Sequence, residues 1–346
     1  MSIKLSLCIP TYNRATFLDE TLRSIVDQAT ENVEIVISDN ASEDDTESVV
    51  ERYQKIFPRI FYHRQPQNMG IDYNLLKVVE LAHGEYCWLF SSDDVMKPGA
   101  ISKILNVIQS EYEIYLCGFT DCSLDMRVRG DFFISRIDTE SVFNLSDKEE
   151  RLRYFRMAEK TPAFFSFCSS LIVSKSRWDT TILSESFDGT LWAHAARLFG
   201  MIPEGLRVQY LPVSLLYKRG DNDSFNTSGL AKRHLMTIDG YYRIADTFFG
   251  PESEEAFHIR RVTRNELRLR ALLKSKLECQ EKGCQDDLKL LNRLVEKHYH
   301  DPSWINSIKR LLYNITPLII VKAGRFMLKT FQSQQRKWQK AVNLSL

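Results

Sequence analysis

The stretch Tyr86-Cys87-Trp88-Leu89-Phe90-Ser91-Ser92-Asp93-Asp94 decides the reading of the fold. Its five leading residues form an apolar run of strand length, and the run stops at two adjacent carboxylates. The same plan stands upstream. Residues 4–9 are an apolar run that ends in Pro10-Thr11-Tyr12-Asn13-Arg14, and residues 33–37 are another, ending in Ser38-Asp39-Asn40-Ala41-Ser42. Helical stripes separate these runs. Phe17, Leu18, Leu22, Ile25 and Val26 form one after a Thr16/Asp19 start, and Val49, Val50, Tyr53 and Ile56 form a second. A strand at 59–63 and a helix at 71–82 follow, and Pro98 opens a further helix. Strands alternating with amphipathic helices predict an α/β fold, a Rossmann-like, mostly parallel sheet flanked by helices. In such a sheet the carboxyl ends of the strands border the ligand crevice, so the polar loops at these ends are the first place to look for chemistry.

Farther along, residues 114–119 and 165–173 read as strands, 147–160 as a charged helix and 213–216 as a strand. Beyond Gly229 the pattern is helical, with helices expected over 260–277 and 288–298. A chain of 346 residues with 44% hydrophobic content supports a catalytic domain plus a smaller appendage. The net charge of +1, from 46 basic and 45 acidic residues, argues against nucleic acid as a partner. Seven cysteines without a CxxC pair suit a reducing compartment, and the N-terminus lacks the pattern of a signal peptide. The aliphatic run at 318–321 is far shorter than the roughly 20 residues that span a bilayer. A cytoplasmic protein is expected.

Asp93-Asp94 admits two readings. Hard divalent cations prefer oxygen ligands and commonly bind one or two carboxylates together with substrate phosphates, which points to Mg²⁺ or Mn²⁺ and a diphosphate leaving group. The alternative is a pair of turn acids ahead of the helix that Pro98 opens. Asp39-Asn40 offers a carboxylate to a nucleobase or ribose, or an Asx turn before the next helix. No GxGxxG or GxxxxGK[ST] occurs, which removes a dinucleotide fingerprint and a P-loop.

Taken in order, Ile9-Pro10-Thr11-Tyr12-Asn13-Arg14, Val36-Ile37-Ser38-Asp39-Asn40-Ala41-Ser42, Asn68-Met69-Gly70, Asn74, Ala82-His83-Gly84-Glu85-Tyr86 and Ser92-Asp93-Asp94 resemble the inverting family 2 glycosyltransferases of GT-A fold. Trp88-Leu89-Phe90-Ser91-Ser92-Asp93-Asp94, Ser169-Ser170-Leu171-Ile172-Val173 and Arg219-Gly220-Asp221-Asn222-Asp223-Ser224-Phe225 are similar to the abequosyltransferases of bacterial O-antigen assembly, which use a CDP-linked 3,6-dideoxyhexose. The resemblance implies a catalytic domain over 1–228, with a nucleotide-binding half at 1–110 and an acceptor half at 111–228, and a helical region over 229–346. It implies a nucleotide-sugar donor, CDP-linked by preference, and a polyprenyl-diphosphate-linked oligosaccharide acceptor. Pro10, Thr11, Tyr12, Arg14, Asp39, Asn40, Asn68, Gly70, Asn74, Ser92 and Asp93 would line the nucleotide site, and Asp93 and Asp94 would hold the metal. Ser91 departs from the pattern, standing where many members carry an acid.

An inverting transfer needs a base for the acceptor hydroxyl, and in Ser186-Phe187-Asp188-Gly189-Thr190-Leu191-Trp192-Ala193-His194 the family's usual Glu-Asp pair is missing. Asp188 and His194 are the candidates. An imidazole titrates near neutrality without help, which favours His194; a core histidine and a helix-capping Asp188 are the structural alternatives. In the segment 217–225 the resemblance implies closure over the diphosphate, and Arg219 is the candidate to stabilise its charge; a plain solvated turn is the other reading. From Pro302 onward there are eight Lys or Arg and no acid. Ile305, Ile308, Leu311, Leu312 and Ile315 form an apolar stripe beside Lys309 and Arg310, and Phe326, Leu328, Phe331 and Trp338 repeat the theme. Such helices lie in an anionic membrane interface, peripheral to the inner face of the cytoplasmic membrane, or dock on protein. A non-catalytic nucleotide-binding module within an assembly complex is the competing functional class.

Overall fold

The computed structural model describes residues 2–182, 187–222 and 229–316. The second basic segment of the tail, residues 317–346, lies outside them, as do Ser186 and Asp223, Ser224 and Phe225. The first compact unit comprises Met1–Asp223 and Gly240–Thr263. It is built on strands β1 (Leu5–Thr11), β2 (Val33–Asp39), β3 (Ile60–Arg64), β4 (Tyr86–Leu89), β5 (Val95–Met96), β6 (Ile114–Cys122), β7 (Val128–Phe132), β8 (Ser141–Asn144), β9 (Leu171–Ser174) and β10 (Arg207–Arg219). They form one sheet in the order β3-β2-β1-β4-β9-β6-β10-β5, with β7 added to β6 and β8 to β10. The first four strands pair in parallel. β9 enters antiparallel between β4 and β6, and β10 runs parallel to β6.

The parallel half follows from its sequence. On β1 and β2 the residues of one face, Leu5, Leu7, Ile9, Val33, Ile35 and Ile37, are buried, and so are Ser6, Cys8 and Val36 on the other, the signature of strands covered on both sides. Helix α1 (Ala15–Val26) covers one face with Leu18, Leu22 and Ile25, and α2 (Thr46–Gln54) with Val49, Val50 and Tyr53. Helix α3 (Ile71–Glu80) buries Leu75, Val78 and Val79, and α4 (Ala100–Val107) buries Ile101 and Ile104. Gly84 lies where a Cβ would meet the Ser6 backbone nitrogen at 2.8 Å, so the turn into β4 requires glycine.

The other half departs from the sequence reading. Residues 165–173 do not form one strand. Phe165 takes a φ of +65°, 3₁₀ turns occupy Thr161–Phe164 and Cys168–Ser170, and only Leu171–Ser174 pairs. β10 is longer than expected, and its register against β6 shifts between Leu211 and Ser214, where Pro212 supplies no N–H, and again before Tyr217. Helices α5 (Lys148–Met157), α6 (Lys175–Thr180) and α7 (Ala193–Gly200) complete this part. Asp147 caps α5 by accepting the Glu150 N–H at 2.9 Å.

Helix α8 (Leu230–Phe249) and helix α9 (Glu254–Glu266) are each shared between the two units, the first of which takes Gly240–Thr263. Residues 240–263 belong with the sheet because their aromatics pack there: Tyr241 lies 4.4 Å from Trp192 and Phe249 5.5 Å from Phe155, ring centre to ring centre. Gly240 admits no side chain, since a Cβ would fall 2.0 Å from the Trp192 indole nitrogen.

The second unit, Ser224–Asp239 with Arg264–Leu346, contains α10 (Leu269–Glu281), α11 (Gln285–His298) and α12 (Trp304–Ile315). The single helix expected over 260–277 is two, because Arg268 is extended and its Nε donates back to the Asn265 carbonyl at 3.1 Å. Among the described residues no helix is long and apolar enough to cross a membrane.

Candidate active site

β5 pairs antiparallel with β10 through Leu216–Met96 and Tyr217–Val95, and this sets the end of β10 beside the acids that precede β5. Asp93 is the hub. Its Oδ2 accepts Arg14 Nη1 at 2.6 Å and Asn222 Nδ2 at 2.9 Å, while its Oδ1 accepts the Ser91 hydroxyl. Arg14 Nη2 donates to the Asn222 carbonyl at 3.2 Å, closing a triangle drawn from the loops after β1, β4 and β10. Ser91, the residue that departs from the family pattern, thus orients Asp93 and brings no charge of its own.

Asp94 faces the other way. It is 2% exposed, and its two oxygens accept Ser169 Oγ at 2.6 Å and the Arg219 backbone N–H at 3.0 Å. Burial, and then the charge of Asp93, push its carboxyl up to about 7. The expected joint metal grip by Asp93 and Asp94 is therefore not what the side chains form: Asp94 ties the β4 loop to β9 and β10. Asp93, by contrast, faces a cation, the Arg14 guanidinium. Among the described residues no three His, Cys, Asp or Glu side chains converge on one point. Such a site suits a Mg²⁺ or Mn²⁺ that takes most of its oxygens from a substrate diphosphate and one from protein.

Arg219 is also not where its expected role requires. Its side chain is 3% exposed. Nε donates to the Asp93 carbonyl at 3.0 Å, Nη1 to the Leu124 carbonyl at 2.7 Å and Nη2 to Glu20 at 2.6 Å, and the guanidinium sits over the Phe17 ring at 4.9 Å. Every donor nitrogen of its guanidinium serves the protein, so Arg219 braces the loop instead of meeting a diphosphate. Arg14 is the guanidinium placed at the crevice.

The nucleotide-side residues divide in the same manner. Asp39 Oδ1 accepts Ser42 N and Oγ at 3.0 and 2.5 Å, and Oδ2 accepts the Tyr62 hydroxyl at 2.6 Å; the Asp39 carboxylate in turn pushes the Tyr62 phenol well up, after burial. Asn40 Nδ2 donates to Asn68 Oδ1 at 2.7 Å, Asn40 Oδ1 accepts Met69 N at 2.8 Å, and Asn68 Oδ1 accepts Gly70 N at 2.9 Å, a loop braced by its own amides. Asn74 is buried and donates to the carbonyls of Thr11 and Ser38 at 3.2 and 2.9 Å. It therefore staples β1 to β2. Ser92 is buried, and Pro10 is half-buried. Tyr12 is exposed, and Thr11 Oγ1 is buried without a hydrogen-bond partner among the described residues. Asn13, Ala41 and Asp221, all with positive φ, mark the bends of these loops.

The two base candidates separate by burial. Asp188 is exposed on the turn before α7. His194 is 5% exposed on α7, and burial pushes its imidazole down to about 4 against a weaker opposing pull from the Phe165 and Ser166 carbonyls; neither ring nitrogen makes a well-formed hydrogen bond. An enclosed imidazole of lowered basicity is out of an acceptor hydroxyl's reach and a poor base for it, and the expectation for His194 yields to its core alternative. The sequence reading missed Ser169, Asn222, Tyr62 and Glu20. Ser169 and Asn222 lie within quoted motifs, while Tyr62 is legible only once β3 is registered beside β2.

Comparison with known proteins bears on the family and the fold. A profile of glycosyl transferase family 2 matches residues 6–172. The chain is 34% identical over 330 residues to abequosyltransferase RfbV of Salmonella typhimurium, covering 92% of this chain and 97% of that one. It is 30% identical over 192 residues to the GalNAc(5)-diNAcBac-PP-undecaprenol beta-1,3-glucosyltransferase of Campylobacter jejuni, covering 55% and 59%. Among solved structures, S. aureus TarS 1-349 in complex with UDP-GlcNAc superposes with a TM-score of 0.60 at 16% identity, over 85% of this chain and 81% of that one. The mannosyltransferase PcManGT of Pyrobaculum calidifontis, in complex with GDP-Man and Mn²⁺, gives 0.54 at 15%, over 96% and 82%. These two likenesses speak to the fold alone, which is the GT-A arrangement.

Proposed function

The chain is a glycosyltransferase belonging to family 2, and on that premise we propose that it transfers a 3,6-dideoxyhexose such as abequose from a CDP-linked donor, with inversion, onto a polyprenyl-diphosphate-linked oligosaccharide in O-antigen or related surface-polysaccharide assembly. The similarity to an abequosyltransferase along nearly the whole chain supports the sugar, and the shorter similarity to a glucosyltransferase named for a PP-undecaprenol-linked saccharide supports the acceptor class. The observation that carries the mechanism is the Arg14–Asp93–Asn222 triangle at the strand ends.

The nucleoside rests against Tyr12 and the Asp39 loop, where the carboxylate is fixed by Ser42 and Tyr62 and offers acceptor chemistry to a base N–H. Arg14 and Asp93 address the diphosphate end. Asp93 is the residue that would hold a Mg²⁺ or Mn²⁺, which would supply charge neutralisation for the diphosphate leaving group. Arg14, at the same end of the crevice, donates hydrogen bonds to the diphosphate. Asp188 takes the proton of the acceptor hydroxyl. The hydroxyl oxygen forms its bond to the anomeric carbon from the face opposite the phosphate, and the breaking carbon–oxygen bond leaves its electron pair on the nucleoside diphosphate. A lipid-linked acceptor places the reaction at a membrane, and the exposed stripe Trp304, Ile308, Leu311 and Ile315 on α12 supports a peripheral position there.

The test is a panel of CDP-, UDP-, GDP- and dTDP-sugars with Mn²⁺ or Mg²⁺ and a lipid-linked oligosaccharide. Transfer from a CDP-dideoxyhexose, at least tenfold faster than from the rest and lost in Asp93→Ala, is the expected result. Nucleotide binding without turnover on any donor overturns it in favour of a non-catalytic module.

A further inference from the structure

Helix α3 begins immediately after the nucleotide-side loop Asn68-Met69-Gly70, and its first turn carries two buried polar side chains that point to different places. Asn74 staples the ends of β1 and β2, as described. Asp72, 7% exposed, reaches across 119 residues of sequence: its Oδ2 accepts the Leu191 backbone N–H at 2.7 Å. Thr190 and Ala193 also donate backbone N–H groups towards the same carboxylate. The turn it grips is unusual. Leu191 has φ +70°, a left-handed conformation that an L side chain adopts at a cost, and Gly189 beside it has φ +67°. Trp192, the N-cap of α7, contributes no side-chain cap, so the carboxylate of Asp72 does for α7 what a capping residue would do from within. Thr190 braces the turn from inside, donating to the Phe187 carbonyl at 2.7 Å and accepting the Trp192 N–H at 3.2 Å. The exposed side chain of that turn is the Asp188 carboxylate.

We propose that Asp72 is a positioning residue for the transfer: with Asn74 it makes the first turn of α3 a rigid bracket that fixes the strained Asp188–Trp192 turn, and with it the acceptor-side carboxylate, against the donor-side strand ends. This rests on the proposal that Asp188 is the base, but the bracket itself is a matter of geometry. Within 187–193 the bracing comes from Thr190, whose bonds go to Phe187 and Trp192 and not to the Leu191 N–H. A strained backbone persists only where its surroundings over-determine it, and here Asp72 is the long-range part of those surroundings. Loss of the bond lets the turn relax, and a displacement of about 1 Å in a reacting group costs on the order of 10²-fold in rate.

Two variants separate positioning from folding. Asp72→Ala removes the acceptor, whereas Asp72→Asn keeps an amide oxygen that can still accept the Leu191 N–H. In the full-length protein, amide hydrogen exchange at Leu191 and Ala193 should quicken at least tenfold in Asp72→Ala and less than threefold in Asp72→Asn, with exchange on β1 and β2 unchanged. Affinity for CDP with Mn²⁺, measured by calorimetry, should stay within twofold in both. With the preferred donor of the panel, kcat for transfer should fall about 10- to 100-fold in Asp72→Ala at an unchanged donor KM, and recover to within about fivefold of the parent in Asp72→Asn. Unchanged exchange in Asp72→Ala overturns the bracket. Quickened exchange with transfer within twofold of the parent overturns its role in the reaction, and so does a parallel loss of CDP affinity. A parent protein that transfers nothing sinks the functional proposal while leaving exchange to decide the bracket.

Discussion

The two compact units handle polar groups in opposite ways. In the sheet unit, Arg14, Asp39, Asp93, Asp94 and Arg219 come from loops far apart in sequence, and each is held by hydrogen bonds that cross between loops. In the helical unit, His298 is buried and His234 half-buried, bonded to the Leu267 carbonyl and to Ser275, while α12 turns Trp304, 74% exposed, with Ile305, Ile308, Leu311, Leu312 and Ile315 outward. The lesson is about where function is stored. A parallel sheet delivers polar loops to one edge, where they restrain one another; a helix presents a face, and what that face does depends on what covers it.

That contrast breaks most sharply at Arg219. Replacing it with Ala leaves the carbonyls of Asp93 and Leu124 and the Glu20 carboxylate without their donor, and should cost about 3 kcal/mol of stability, read as a lowered denaturation midpoint. Arg219→Lys should recover less than half, because an ammonium does not span three acceptors in one plane. If Arg219→Ala lost transfer at unchanged stability, the arginine would be serving the diphosphate and the brace reading would fail.

The helical unit should lose stability in acid through two of its histidines. Burial lowers the folded-state pKa of His234 to about 4 and of His298 to about 3, below the ordinary value of 6.5. The unfolded chain therefore takes up protons that the folded unit refuses. Stability from these two groups is fully present above about pH 6.5 and falls as pH drops through 6.5 towards 3 to 4, where it levels off. Hydrogen exchange of α10 and α11 followed over this range checks it, and His298→Phe should flatten the slope. A slope that is unchanged in a folded His298→Phe protein would remove the histidine from the account.

The smallest effect is expected on the outward face. Ile308→Gln with Leu311→Gln should lower binding to vesicles containing phosphatidylglycerol about fivefold, with transfer to a soluble acceptor analogue unaltered. Equal vesicle binding by parent and double variant would leave the stripe to a protein partner.

Much of the donor side was legible from the chain itself. β1 to β4 and the polar residues that end them follow from apolar runs stopped by acids and amides, and Asp39, Arg14 and Asp93 stand where that pattern put them. The roles of Asp94, Arg219 and His194 did not follow. Asp94 and Asp93 are adjacent and chemically identical, yet one faces a guanidinium at the crevice and the other is buried between Ser169 and β10. Arg219 looks like a free cation in a polar loop until Glu20 and Phe17 of α1 are folded against it. The break of the expected 260–277 helix and the turns replacing a strand at 165–170 escaped for a related reason. Extended and left-handed residues at Arg268 and Phe165 interrupt apolar patterns that run on without a glycine or proline to mark them.

The sequence alone determined the alternation of strands and helices, the family, and the residue types available at the strand ends, because hydrophobic periodicity and ordered motifs are local properties of a chain. Tertiary structure alone decided which of those residues face the crevice and which brace it. Hydrogen-bond partners such as Asp72 and Leu191 lie 119 positions apart, and burial, which sets both acidity and access, is a property of the packed neighbours and not of the residue.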